Sequence, residues 1–230
     1  MTPLPRDAST VVLLRDGTDG QGLQVWLMRR LETLAFAAGA HVFPGGSVDP
    51  SDDDRLPLAG GTLDGVASVM GAAPDRAERL LAAAVRETFE ECGLVLATGP
   101  KTGAWSSADR DDLLAGRVSV ASLMRRDDAV LDLRRLLPWA WWLTPDFIPR
   151  RYDTWFFLMH VPEGIEPEHV GEGEAVDARW WGVDEALEAN RAGSVMLLPP
   201  TFGVLTDLAG SGGVAEVLMQ APQRLEQRSG

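Results

Sequence analysis

Three glutamates lie close together in the segment RETFEECG, which spans residues 86–93. Positions i, i+3 and i+4 of a helix are neighbours, so Glu87, Glu90 and Glu91 would share one face. Carboxylates crowded in this way repel one another, and a bound hard cation such as Mg²⁺ would reverse that cost. The alternative is a solvated acidic face on which Arg86 pairs with Glu90. The pattern therefore indicates either a metal site or an ordinary charged surface.

A helix over residues 75–92 is predicted to carry these glutamates. Pro74 suits the first turn of this helix, and Gly93 suits its C-terminal end. On the side away from the glutamates the helix has an apolar stripe, formed by Leu81, Ala84, Val85, Thr88, Phe89 and Cys92. Burial of that stripe would hold the helix on a core and leave its acidic side free to bind a ligand.

A second unusual segment, AHVFPGG at residues 40–46, ends in a proline and two glycines. Pro44 fixes its own backbone φ, whereas Gly45 and Gly46 let other groups approach the backbone closely. Such a turn can place a carbonyl or an amide beside the acidic helix. A turn without function is the alternative that the motif alone leaves open.

Together the two segments resemble the box of the Nudix hydrolase family. Residues 86–94, RETFEECGL, match its R-E-U-x-E-E-x-G-U core, with Thr88 at one apolar position. Gly45 and Gly46 match the glycine turn that precedes the helix in that family. The resemblance implies a Nudix-type α/β/α sandwich with a mixed sheet.

The first half of this box is interrupted. The family has an acidic residue with seven residues between it and the arginine, and Glu78 has that spacing from Arg86. Residues 47–77 separate Glu78 from the glycines, however, and Asp52 has the usual offset from Gly46. Glu78 and Asp52 are therefore competing assignments. A long insertion at this point resembles the branch of the family that includes the peroxisomal coenzyme A diphosphatases.

The resemblance also implies metal-dependent hydrolysis of a diphosphate. Mg²⁺ or Mn²⁺ would be held by Glu87, Glu90, Glu91 and a backbone group of Gly45. A glutamate would orient or deprotonate the attacking water, and Glu87 is one candidate. The other candidates lie in the segment EGEAVDARWW, which is similar to a family loop with an acid before a tryptophan. Glu174 is our assignment in that loop, and Glu172 is its neighbouring substitute.

The implied substrate is a small nucleoside diphosphate derivative. Branch resemblance favours coenzyme A or an acyl-CoA, cleaved to 3′,5′-ADP and a 4′-phosphopantetheine product. ADP-ribose, NADH and dinucleotides are the alternatives within the same chemistry. A non-catalytic, ligand-sensing Nudix domain is the rival from a different functional class.

Arginine is suited to phosphate binding because its guanidinium fork matches the phosphate oxygens. We assign Arg86 and the backbone of Gly46 to substrate binding. Arg150 and Arg151 precede the strand-like YDTWFF, and we slightly favour Arg151 as a third contact. A salt bridge from this pair to Asp153 is the alternative.

Several other residue types are assigned structural roles. Aromatic strands normally bury their rings, so most of six tryptophans should lie in the core or at an interface, although one could stack on adenine. These are Trp139, Trp141, Trp142, Trp155, Trp180 and Trp181. His41 lacks a partner at zinc-ligand spacing, and Cys92 falls on the apolar stripe. The tryptophans and the insertion would also support a homodimer.

Charge and composition restrict the functional class. The chain has 230 residues and a formal charge of −13, from 34 acidic and 21 basic residues. A field of that sign repels polyanions, so we expect no nucleic-acid partner and no anionic membrane partner. The start of the chain has no secretory pattern, and Cys92 is the single cysteine. We therefore expect a cytoplasmic protein without disulfides.

The order of predicted elements indicates one α/β domain over residues 1–230. The predicted strands cover residues 9–16, 23–30, 94–97, 137–145, 152–162 and 177–183. The predicted helical segments are 75–92, 106–137, 184–193 and the stretch after Pro199 and Pro200, and the tail is expected to be frayed. Residues 47–77 would form an insertion in the box with at most one short helix, and residues 106–137 an added helical segment.

Overall fold

The computed structural model describes residues 4–18, 22–33, 37–101, 105–168 and 175–228, with side chains up to residue 221. The chain begins with four strands: β1 (Arg6–Asp16), β2 (Leu23–Arg30), β3 (Ala40–Val42) and β4 (Gly45–Ser47). β1 and β2, which correspond to the strands predicted over residues 9–16 and 23–30, pair antiparallel with Leu14 opposite Val25. β3 pairs with β2, whereas β4 turns back and pairs with β1.

The interruption of the box folds as a short excursion from the sheet. It contains a 3₁₀ turn over Pro50–Asp53, strand β5 (Leu58–Ala59) and helix α1 (Leu63–Met70). The acidic helix, α2 (Pro74–Cys92), follows, and its cap Gly93 has φ 65°, a left-handed conformation that suits glycine. The helix and both of its predicted ends are confirmed. Because α2 begins at Pro74, it includes the last residues of the range predicted as insertion.

The middle of the chain differs from the prediction in two places. It contains α3 (Ser107–Leu114), α4 (Val120–Arg126), β6 (Leu131–Asp132) and β7 (Leu136–Leu143). The added helical segment therefore ends at Arg126. Residues 127–137 are not helical, contrary to the prediction. The strand predicted at residues 94–97 is also wrong, because this stretch is irregular while Leu96 and Ala97 are buried. Its apolar composition reflects burial, which β-propensity does not distinguish from strand pairing.

The last third of the chain agrees closely with the prediction up to its tail. Its elements are β8 (Tyr152–His160), β9 (Ala175–Gly182), α5 (Val183–Arg191), β10 (Met196–Leu197), α6 (Pro199–Leu208) and α7 (Val214–Arg228). α7 continues to Arg228, through most of the segment expected to be frayed, and it buries Val217 and Ala221. Tertiary packing of one apolar face stabilises a helix whose polar end obscured it in the sequence. Within the described ranges, no helix has the length and apolarity needed to cross a membrane.

The main sheet is mixed and has the order β10-β3-β2-β1-β8-β7, with β4 and β9 pairing at β1 and β2. β1 is parallel to β8 and β3 is parallel to β10, and the other pairs are antiparallel. Alternate residues of β1 enter two different cores. Val11 and Leu13 pack with α1–α4, whereas Val12 and Leu14 pack with α5–α7. The sheet is thus covered on both faces, which confirms the predicted α/β/α sandwich.

Glu78 joins α2 to the excursion. Its buried carboxylate accepts a hydrogen bond from the backbone N–H of Leu56 at 2.9 Å and forms a salt bridge with Arg55. Arg55 also pairs, at 2.8 Å, with Asp75, whose side chain is 78% exposed. Glu78 and Asp75 therefore share one partner but differ in burial.

Replacing Glu78 by Ala should lower the free energy of unfolding by about 1–3 kcal/mol, because the Leu56 N–H would lose its acceptor. Asp75→Ala is the matched control and should cost less than about 1 kcal/mol, since exposed ion pairs contribute little. Urea unfolding of the two variants measures the difference. Equal losses of stability would contradict the anchoring role of Glu78.

Candidate active site

The two segments singled out in the sequence meet where β4 passes α2. The Glu91 carboxylate accepts a hydrogen bond from the backbone N–H of Gly45 at 2.8 Å. The Glu87 carboxylate lies against Gly46, where an added Cβ would come within 2.2 Å of Oε1. Gly45 has φ 153°, a conformation that residues with a side chain rarely adopt. The two glycines therefore allow the backbone to contact the carboxylates directly.

The guanidinium of Arg86 connects the acidic groups and is only 6% exposed. Its Nε and Nη2 donate to the two carboxylate oxygens of Asp52 at 3.0 and 2.9 Å. Its Nη1 donates to Glu87 at 2.8 Å and to Glu90 at 3.0 Å. Nη2 also donates to the backbone carbonyl of Ser47 at 2.9 Å. One side chain therefore links the turn, the excursion and the helix.

Asp52 and Glu78 were the two competing assignments for the acid in the first half of the box. Of these two, Asp52 is the one that contacts Arg86. Asp52 is 1% exposed and also accepts a hydrogen bond from the Asp49 backbone N–H at 2.8 Å. Glu78 lies about two turns earlier on α2, where it contacts the excursion. The acid with the usual offset from Gly46 is thus part of the site, and the rest of the excursion lies between it and α2.

Burial and crowding leave an excess of negative charge around one fixed cation. Burial raises the pKa of Glu90 to about 7, against the opposing effect of Arg86. Burial alone would lower the pKa of Arg86, but its hydrogen bonds to Asp52 and the charges of Glu87 and Asp52 raise it. Arg86 therefore stays charged and compensates only part of the surrounding acid. A divalent cation would be attracted to the remainder.

The donor groups fit a cation that shares its coordination with a substrate. Glu87 and Glu91 both approach the Gly45–Gly46 turn, and Mg²⁺ commonly takes one or two protein carboxylates, with waters and phosphate oxygens as its other ligands. Glu87 and Glu90 both also accept a hydrogen bond from Arg86 Nη1. Among the residues that the structure describes, no three acidic, histidine or cysteine side chains form a ready metal cage. The arrangement suits a site that substrate phosphates complete.

A cleft of about 1180 Å³ adjoins the glutamates. Glu87 and Gly46 line it, and its floor is the second face of the sheet, formed by Thr10 of β1 and by Thr154 and Phe156 of β8. The N-terminal end of α6 forms part of its wall. The cleft therefore lies on the face of the sheet opposite α2. Glu87 belongs to α2 and also lines the cleft.

Arginines enter this cleft from separate strands and loops. Arg6, Arg30 and Arg150 line it together with Arg86. Arg151, the residue favoured from the sequence, instead forms a salt bridge with Asp146 and donates to a backbone carbonyl at 3.1 Å. Arg6 and Arg30 were not predicted from the sequence. Their spacing carries no signal because the sheet, not a local motif, brings them together.

Other residues singled out in the sequence are Pro44, Glu174 with its substitute Glu172, the tryptophans and Cys92. The carbonyl of Pro44 accepts a hydrogen bond from the Val11 backbone N–H at 2.8 Å, which fixes the turn on β1. Glu174 and Glu172 lie outside the described residues. Of the six tryptophans considered for stacking, Trp142 lines the cleft. Cys92 is buried, and this burial raises the pKa of its thiol, as suits a structural residue.

Asp52→Asn should destabilise the protein by about 3 kcal/mol, because it removes the buried charged partner that accepts two of the guanidinium hydrogen bonds and sets an amide N–H₂ against a guanidinium donor. Asp53→Asn is the matched control, since the neighbouring Asp53 side chain is 66% exposed and reaches Arg79 only at 3.7 Å. This control should change stability by less than about 1 kcal/mol. Denaturant unfolding measures both values, and a loss at Asp52 as small as that at Asp53 would contradict the bracing role of the buried pair.

Comparison with known proteins agrees with this geometry. A model of the NUDT19 Nudix domain matches residues 68–208, which include the whole of α2. The chain is 30% identical over 208 residues to putative nudix hydrolase 7 of Caenorhabditis elegans, covering 89% of this chain and 60% of that protein. It is 28% identical over 241 residues to the human acyl-coenzyme A diphosphatase NUDT19, covering 86% of this chain and 63% of that protein. The chain thus spans less than two thirds of the length of these relatives.

A solved structure shows the same fold over nearly the entire chain. A NUDIX hydrolase from Alicyclobacillus acidocaldarius is 26% identical and superposes with a TM-score of 0.77. The match covers 95% of this chain and 97% of that one. The shared fold and the contact between the glycine turn and the acidic helix agree with the domain match. The chain belongs to the Nudix hydrolase family, in the group defined by the NUDT19 Nudix domain.

Proposed function

We propose that this chain is a divalent-cation-dependent diphosphatase that acts on a nucleoside diphosphate derivative. The observation that carries this proposal is the approach of Glu87 and Glu91 to the Gly45–Gly46 turn at the edge of a large cleft. Membership of the Nudix hydrolase family supports the same chemistry. Carboxylates beside an open cleft suit a cation that must also bind the phosphates of a substrate.

Glu87 and Glu91 would hold the cation, with a backbone group of Gly45 beside them. Mg²⁺ or Mn²⁺, when bound, would neutralise the diphosphate and favour attack by water at phosphorus. Glu87 borders the cleft and is a candidate to accept the proton of that water, and Glu174 remains the second candidate. Glu90 would join the cation ligands if it turned away from Arg86.

Arg86 is assigned a positioning role. A guanidinium has five N–H donors, and those of Arg86 already reach Asp52, Glu87, Glu90 and the Ser47 carbonyl. These five hydrogen bonds use all five donors, so none is left for a phosphate. We therefore propose that Arg86 orients Glu87 and does not make the contact with substrate that was predicted from the sequence. Anion binding is assigned to the other arginines of the cleft.

Coenzyme A or an acyl-CoA is the favoured substrate, giving 3′,5′-ADP and a 4′-phosphopantetheine product. Support comes from the human relative named acyl-coenzyme A diphosphatase and from a cleft with several arginines. ADP-ribose, NADH and dinucleotides are the alternatives, because they contain the same type of bond. The single domain over residues 1–230, the homodimer and the cytoplasmic location stay predictions.

The test is a product assay with purified wild type and the Glu91→Gln variant. Coenzyme A, octanoyl-CoA, ADP-ribose, NADH and a diadenosine polyphosphate are incubated with Mg²⁺, Mn²⁺ or EDTA, and products are identified by mass. We expect wild type to release 3′,5′-ADP from the coenzyme A compounds only with metal. Glu91→Gln keeps an oxygen for the Gly45 N–H but should lower turnover by about 100-fold or more, since charge stabilisation in the transition state is lost.

Glu188→Gln, at an exposed position of α5, is the control and should retain full turnover. Cleavage of another compound in the panel would keep the chemistry and change the substrate. Tight ligand binding without any cleavage would contradict the enzymatic proposal and favour a sensing domain.

A further inference from the structure

One wall of the cleft is apolar and includes an exposed aromatic ring. Trp142, Pro145, Phe147 and Ile148 line this wall, which follows from the end of β7. Phe147 is 82% exposed. A single exposed apolar side chain is ordinary on a protein surface, but several that face one cleft indicate an apolar ligand group. We call these four residues the apolar wall.

The backbone that carries Phe147 is held in place. The Ile148 N–H donates to the Pro145 carbonyl at 3.1 Å and closes a turn. At the base of this turn, Arg151 Nε donates to the Thr144 carbonyl at 3.1 Å. The ring is thus presented from a braced turn, which limits the entropy lost when a ligand packs against it.

The sheet register gives the distance from the apolar wall to the glycine turn. Ser47 lies opposite Ala8, Ala8 opposite Thr154, and Thr154 opposite Trp142. All four residues line the cleft. Adjacent strands are roughly 4.8 Å apart, so three steps separate Trp142 from Ser47 by about 14 Å. A ligand that occupies both ends needs an arm of about that length between its diphosphate and its apolar group.

The charges in the cleft indicate which other groups this ligand carries. Arg6, Arg30 and Arg150 line the cleft in a chain whose formal charge is −13, and Arg150 lies over the ring of Tyr152 at 5.6 Å. These arginines suit anionic groups, whereas the apolar wall does not. Arg6 lies opposite Tyr152, and Arg150 is two residues after Ile148, so both lie near the apolar wall. The combination fits a ligand that carries a hydrocarbon together with anionic groups. A nucleoside base packed against the rings of the apolar wall would be common to acylated and unacylated substrates, so comparing the two distinguishes a base from an acyl group.

We propose that the apolar wall binds the acyl group of an acylated nucleoside diphosphate derivative, and that Phe147 sets the preference for acylated over unacylated substrate. This inference rests on the proposed function, because its kinetic test measures cleavage of the diphosphate. Contact between the exposed ring and a hydrocarbon chain removes apolar surface of both from water. Loss of that contact should lower the preference by about tenfold.

The experiment compares octanoyl-CoA with coenzyme A in wild type, Phe147→Ser and the control Met219→Ser. Met219 is 69% exposed on α7 and is not among the residues that line the cleft. The ratio of kcat/KM for octanoyl-CoA to that for coenzyme A should fall by about tenfold in Phe147→Ser. The same ratio should stay at the wild-type value in Met219→Ser. An unchanged ratio in Phe147→Ser would overturn the inference.

Calorimetric binding of both ligands in EDTA separates this inference from the proposed function. If wild type cleaves neither ligand but Phe147→Ser still weakens octanoyl-CoA binding relative to coenzyme A, the apolar wall stands and the proposed function fails. If both ligands are cleaved but the affinity ratio does not respond to Phe147→Ser, the proposed function stands and the inference fails. Absence of binding by either ligand to wild type would overturn the inference.

Discussion

The buried guanidinium of Arg86 is the interaction on which the site depends. A charge removed from water is tolerated only when partners surround it, and breaking such a contact leaves an uncompensated charge inside the protein. Here the partners come from three places: the Ser47 carbonyl on β4, Asp52 in the 3₁₀ turn, and Glu87 and Glu90 on α2. The turn, the excursion and the acidic helix must therefore all be folded before Arg86 is satisfied. The same contacts orient Glu87 toward the glycines.

This interaction also explains how the box tolerates an interruption. Asp52 is in place within a few residues of Gly46, and the chain then leaves the site and returns at α2, where Glu78 secures the excursion through Leu56. The sheet separates two tasks on its two faces. α2 packs on one face with its glutamates at β4, while the cleft opens on the other, and Glu87 lies where they meet.

The parts of this architecture that sequence could predict are those with local rules. Pro74, Gly93 and the apolar stripe define α2, and the combination of the glycine turn with the acidic triplet indicates that they meet. Spacing could not decide between Asp52 and Glu78, because each satisfies one half of an interrupted motif and only the folded excursion shows which reaches Arg86. Arg6 lies on β1 and Phe147 in the loop after β7, so no periodicity in the sequence indicates that both line the cleft. Residues 94–97 were mistaken for a strand because apolar, β-prone residues also fill irregular core segments.

In the proposed function, two segments distant in sequence build one cation site at the Gly45–Gly46 turn. The most direct test is a crystal structure of the protein with Mn²⁺ and a non-hydrolysable diphosphate ligand, in which anomalous scattering locates the metal. We expect a peak about 2.1 Å from carboxylate oxygens of Glu87 and Glu91, with phosphate oxygens as further ligands. A peak elsewhere on the acidic surface, or a ligand bound in the cleft with no metal at these glutamates, would contradict the account.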